Sequence, residues 1–255
     1  MAKSKGDKKV IILGGSSGIG KATAERFARE GWQVIVGAHD LANAKKVISQ
    51  LTGEGHGAYP LDVRSDKDIK KFCTKIKNQF GTFQVLVNSV GVSEGHHSIE
   101  SDFAKWDNAI QVMLYGSVKI CRALIPLMAD GGRVIHITSI HHDRVAQGSS
   151  AYGMAKAAIT QFTRSLALEL APRKILANAI APGFVNTPMS IKKDGQNELD
   201  SQWFKDNYIK YGHLPLQRAG EPEEIAGTAY FLAGPDATYI TGSIITVDGG
   251  LTITF

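Results

Sequence analysis

The chain has 255 residues, 29 Lys and Arg against 24 Asp and Glu for a formal charge of +5, and 43% hydrophobic residues. That length allows one sizeable α/β core, and the balance, with 27 glycines spread along the chain, disfavours collagen-like, disordered and membrane classes. Nothing approaches the roughly 20 apolar residues of a spanning helix, and the run from Val10 to Leu13 is too short for a signal peptide's apolar region.

Short apolar runs at Val10 to Leu13, Val34 to Val36, Val85 to Val87, Val134 to Ile137, Ile175 to Ile180 and Ile244 to Val247 predict buried strands, with a weaker one over His56 to Leu61. Between them, amphipathic stretches at Gly20 to Glu30, Leu41 to Leu51, Asp66 to Phe80, Trp106 to Met128, Ser150 to Leu170 and Glu221 to Leu232 predict helices. The alternation argues for a Rossmann-like, doubly wound parallel α/β sheet in a single domain over residues 1–255. The irregular stretch 189–216 has the length of a substrate lid, with a surface helix from about Asp200 to Tyr211 compatible with it.

Only Cys73 and Cys121 occur, without metal spacing, so a reducing, cytoplasmic location is the default. The basic residues fall in scattered pairs such as Lys45-Lys46 and Lys70-Lys71, which read as solvated helix faces. No nucleic-acid or membrane partner is expected, and an anionic small ligand accounts for the charge equally well.

The first strand runs into Gly14, Ser16, Ser17, Gly18, Ile19 and Gly20 and then into a helix. A turn there needs positive φ, a backbone approaching a pyrophosphate must lack Cβ, and the helix N-terminus supplies amides and partial positive charge. Tyr152 and Lys156, four apart, share a helix face. Ser139 stands at the C-terminal end of a predicted strand, where ligand clefts of open α/β sheets lie.

Together these residues resemble the short-chain dehydrogenase/reductase family over nearly the whole chain. The resemblance implies hydride exchange between a nicotinamide cofactor and a secondary alcohol or ketone, with Ser139, Tyr152 and Lys156 catalytic. An ammonium about 4 Å away, at an effective dielectric near 20, would lower the phenol's pKa by about three units. It further implies cofactor contacts from the glycine loop, Asp62 and Val63 at the adenine, Asn88 and Gly91, Tyr152 and Lys156, and Pro182, Gly183, Val185 and Thr187 beside the nicotinamide. The acidic position of the second strand falls on Ala38, followed by His39, which leans towards NADP over NAD. Asp40 is the rival ribose partner, although a helix N-cap is its better reading. Leu13 stands for the family's Thr, Ser89 and Val90 depart from its Asn-Asn-Ala-Gly, and Met113 replaces a helix asparagine linked to a proton relay. Asn108 would be a poor substitute for it.

Glu94 and His141 are substrate candidates, suggesting a sugar or polyol. A 3-oxoacyl thioester reductase is the alternative, and a cofactor-binding scaffold or sensor the alternative of another class. No metal is expected, because His96-His97 and His141-His142 lack ligand spacing. Family members are commonly homotetramers, so a homo-oligomer is implied.

Overall fold

The apolar runs become strands Lys9–Leu13 (β1), Gln33–Ala38 (β2), Gly57–Pro60 (β3), Phe83–Asn88 (β4), Met128–Ile137 (β5), Leu176–Pro182 (β6) and Ile244–Val247 (β7) in the computed structural model. Residues 8–93, 95–192 and 194–254 are described. All seven strands pair in parallel, in the order β3-β2-β1-β4-β5-β6-β7. Chain direction across the sheet reverses beside β1 and β4, and a ligand crevice opens at the strand C-termini of such a switch point.

Alternation along β1 sends Ile11 and Leu13 to one face and Val10 and Ile12 to the other. On the first face they meet Phe72 and Ile76 of Asp66–Phe80 (α3). Farther along that face lie Ile120 and Leu124 of the helical run Phe103–Leu127 and Leu166 of a long later helix. On the second face they meet Phe27 of Gly18–Arg29 (α1) and Val47 of Leu41–Gln50 (α2), with Ile225 of a C-terminal helix completing the layer. Both faces of the sheet are covered, which is why its strands read as continuous apolar runs rather than alternating ones.

The helix expected over Trp106 to Met128 is three segments: Phe103–Ala109 (α4), a π-helical Ile110–Gly116, and Ser117–Leu124 (α5). A Cβ on Gly116 would stand 2.5 Å from Val63 Cγ2, so glycine permits this helix to approach the turn after β3. The whole run Phe103–Leu127 is 25 residues long with mean hydropathy 1.3 in its most apolar stretch, which corrects the expectation that no such run exists. Ile110, Met113, Ile120, Cys121 and Leu124 are buried within the protein, and core helices pass the same length test. β5 starts at Met128, ahead of the expected Val134, because Pro126 closes the helix in a 3-10 turn.

The remaining helices are Ser150–Glu169 (α6), the short Gln202–Phe204 (α7), which continues as a π turn Lys205–Ile209, and Pro222–Ala233 (α8). The surface helix expected from Asp200 to Tyr211 is therefore shorter. Its aromatic side chains explain why it packs here: Phe204 and Tyr208 lie 5.0 and 4.7 Å from the Phe184 ring.

Candidate active site

A cleft of about 670 Å³ opens at the C-terminal ends of the central strands. Gly14 and Gly18 take φ values of 77° and 50°, and a Cβ on Gly20 would lie 2.1 Å from the Gly14 carbonyl oxygen. These glycines leave a cradle that side chains would fill, and the amides opening α1 border it, which suits a pyrophosphate. Gly14, Ser16, Ser17, Gly18 and Ile19 line the cleft, while Gly20 acts from behind by close packing. The family's threonine is not missed as a structural element. Leu13 is fully buried, and backbone bonds from Gly14 N to Gly37 O (2.8 Å) and from Ser89 N to Leu13 O (2.9 Å) hold the turn.

At one end of the cleft lie Ala38, His39, Asp62, Val63, Arg64, Asn108 and Val112. Asp40 is the N-cap of α2: its carboxylate accepts from Asn43 N at 3.0 Å and from Asn43 Nδ2 at 2.7 Å. Each oxygen thus accepts one bond from Asn43, while the residue also borders the cleft. Asp62 accepts from Arg64, whose guanidinium holds the carboxyl below its ordinary range. Asn88 is buried and accepts from Val90 N at 3.2 Å, which fixes the end of β4.

The opposite end holds the acid–base group. Ser139 follows β5, and its hydroxyl oxygen accepts from His141 N at 3.2 Å. Tyr152 and Lys156 project from the first two turns of α6, and both line the cleft with Ser139. Lys156 Nζ lies 5.4 Å from the Tyr152 ring centroid and donates to the Ile137 carbonyl at 3.0 Å. Here the structure corrects a sequence expectation. Burial raises the Tyr152 pKa above its ordinary value, opposed by a hydrogen bond with Ser139, and burial also pulls Lys156 down to about 8. Loss of phenolate solvation thus favours the protonated phenol when no cofactor is bound.

Met113 is 1% exposed, packed with Ala109, Ile110, Ala151 and Ala155 in a cluster that also touches Tyr152. It is therefore a packing residue on the back of the catalytic helix. Met113→Asn is expected to destabilise the fold by about 1–3 kcal/mol, the cost of burying an amide among apolar groups. A thermal melt checks this, because each kcal/mol lowers the midpoint of a chain this size by about 2–4 °C. An unchanged midpoint with faster turnover would mean that the amide finds partners and restores a relay.

Gly91, Pro182, Gly183, Val185 and Thr187 line the cleft between its two ends, and a Cβ on Gly18 would come within 3.3 Å of Thr187 Cβ. The segment after β6 thus closes over the glycine loop. From the expected lid, Met189, Ser190, Glu198 and Leu199 reach the cleft. Glu94 lies outside the described residues. His141 is near but does not line the cleft: its ring stands perpendicular to the Tyr152 ring at 5.6 Å, with Nδ1 buried and without a hydrogen-bond partner. Arg64, Glu198 and Leu199 were not singled out from sequence, and Asn108 was considered only as a substitute relay. The one available signal was Arg64, two positions after Asp62. Among the described residues no group of three or more His, Cys, Asp or Glu could hold a metal.

A family model described as enoyl-(acyl carrier protein) reductase matches residues 14–252. The 3-oxoacyl-[acyl-carrier-protein] reductase of Thermotoga maritima is 33% identical over 250 residues, covering 96% of this chain and 98% of that one. Among solved structures, a short-chain dehydrogenase/reductase of Serratia marcescens superposes with a TM-score of 0.85 at 32% identity, over 96% of this chain and 98% of that one. The ligand-free aldohexose dehydrogenase of Thermoplasma acidophilum gives 0.83 at 30%, over 98% and 96%.

Proposed function

The chain belongs to the short-chain dehydrogenase/reductase family, and from that premise we propose that it works as an NADP(H)-dependent carbonyl reductase. Its members bind a nicotinamide cofactor and act on CH–OH and C=O groups. The observation that carries the reading is the meeting of Ser139, Tyr152 and Lys156 on the cleft wall, where burial raises the Tyr152 pKa and favours the phenol as proton donor. A phenol that holds its proton at neutral pH is a general acid for a carbonyl oxygen. When bound, the reduced nicotinamide supplies the hydride. Ser139 donates to the substrate oxygen and aligns it with the phenol, while Lys156 supplies positive charge beside the phenolate left behind.

The substrate side of the cleft is bordered by Val92, Phe184, Met189 and Leu199, which favours a 3-oxoacyl chain, and the Thermotoga maritima relative is named for that reaction. A sugar or polyol is the second reading. The Thermoplasma acidophilum neighbour, named for an aldohexose, supports it. Initial rates with 3-oxoacyl thioesters, simple ketones, sugars and polyols, using both cofactors, test the choice. Oxidation of sugars at neutral pH faster than any reduction would overturn the main reading. We extend the proposal to a homotetramer in a reducing cytoplasm, supported by family habit and by the inert thiols Cys73 and Cys121, which burial pushes up to about 11 and about 12.

Preference for NADP(H) rests on Ala38, which leaves a 2′-phosphate unopposed, on the exposed His39 beside it, and on the engagement of Asp40 as a cap. Ala38→Asp is expected to lower the NADPH-to-NADH ratio of kcat/KM roughly tenfold or more, the effect of one like charge near a surface. The ratio is measured in both proteins at fixed salt. A wild type that already favours NADH would sink the preference.

A further inference from the structure

Arg64 links the turn after β3 to α4 at one end of the cleft. Its backbone N and Nε donate to Asp62 Oδ1 at 2.9 and 3.1 Å, Nη2 donates to Asp62 Oδ2 at 2.9 Å, and Nη1 reaches across to Asn108 Oδ1 on α4 at 3.2 Å. Three of the five guanidinium N–H groups are thus used, and they fix the plane of the group at the cleft's edge. The side chain is still 47% exposed. Surface ion pairs contribute little to stability, so this arrangement has a poor explanation as a fold-stabilising device.

The catalytic group defines the nicotinamide end and the glycine loop the middle, so the end walled by Asp62, Arg64 and Asn108 must take the adenine. Asp62 Oδ2 accepts one bond, from Nη2, and keeps a lone pair for a donor such as a purine amino group. A planar cation pinned beside it presents a face to which a purine ring stacks well. We propose that Arg64, held by Asp62 and Asn108, is the lid of the adenine subsite and stacks on the purine. The role is indifferent to the 2′-phosphate. This rests on the cofactor reading above but not on the choice between NAD and NADP.

The test is calorimetric titration of the full chain with ADP, NADH and NADPH. Arg64→Ala is expected to weaken all three by one common factor, roughly two- to fivefold, the range of an exposed cation–π contact. Arg64→Lys, with charge but no planar face, should regain only part. Unchanged affinities would reduce Arg64 to a tether. A loss confined to NADPH would make it a phosphate reader, and full recovery by Lys would make it a point charge. Each of those results overturns the proposal. A wild type that prefers NADH would instead overturn the NADP reading and leave the common factor standing.

Discussion

Tyr152→Phe is expected to lower turnover by roughly 10²–10⁴-fold while leaving cofactor affinity nearly intact. The substitution removes the phenolic proton and keeps the ring, so the ring's contacts with His141 at 5.6 Å and with the Lys156 ammonium at 5.4 Å survive. What is lost is the hydroxyl whose pKa burial raises and which is hydrogen-bonded with Ser139. Steady-state consumption of NADPH gives the turnover, and quenching or enhancement of its fluorescence gives the affinity. Activity above about a hundredth of wild type would remove Tyr152 from the acid's role. A parallel collapse of affinity would show instead that the phenol mainly holds the cofactor.

The strands and the glycine loop were legible because each rests on local chemistry. A strand buried on both faces must be apolar throughout, and a turn with positive φ around a phosphate must be glycine. Tyr152 and Lys156 were legible because helix periodicity alone brings them to one face. Three features were not. The π segment Ile110–Gly116 carries no period distinct from an α-helix, so its division of one helix into three had no sequence signal. The clasp of Arg64 on Asn108 joins residues 44 apart, and no local pattern specifies it. His141 follows Ser139 so closely that a place on the cleft wall was a fair inference. The 3-10 turn Ile140–His142 instead rotates its ring onto Tyr152.

The protonation states differ from the sequence expectation for the same reason: desolvation depends on everything packed around a group. Spacing shows that Lys156 accompanies Tyr152. It does not show that α6 buries the lysine to 5% exposure or that burial raises the phenol's pKa. For unit charges about 5 Å apart at an effective dielectric near 20, Coulomb's law gives roughly 3 kcal/mol, the scale of an ammonium's help to a phenolate beside it.

That magnitude sets the other large effect. Lys156→Ala is expected to lower turnover about a hundredfold, the value of roughly 3 kcal/mol in the barrier. It should weaken cofactor binding as well, since Nζ borders the cleft beside Gly91, 4.0 Å from a Cβ built there. The pH profile separates charge from packing. The lysine's pKa is pulled down to about 8, so its charge is fully present well below that pH and is lost as pH rises through it. Tyr152 keeps its proton over the same interval, because burial raises its pKa. Reduction by the wild type should therefore be level near neutrality and fall above about pH 8, and in Lys156→Ala that fall should vanish. A thermal melt guards against misfolding, since the variant leaves the Ile137 carbonyl without its donor. A variant that melts like wild type but keeps the same pH fall would assign the titration to another group. One that loses affinity without losing turnover would restrict Lys156 to holding the cofactor.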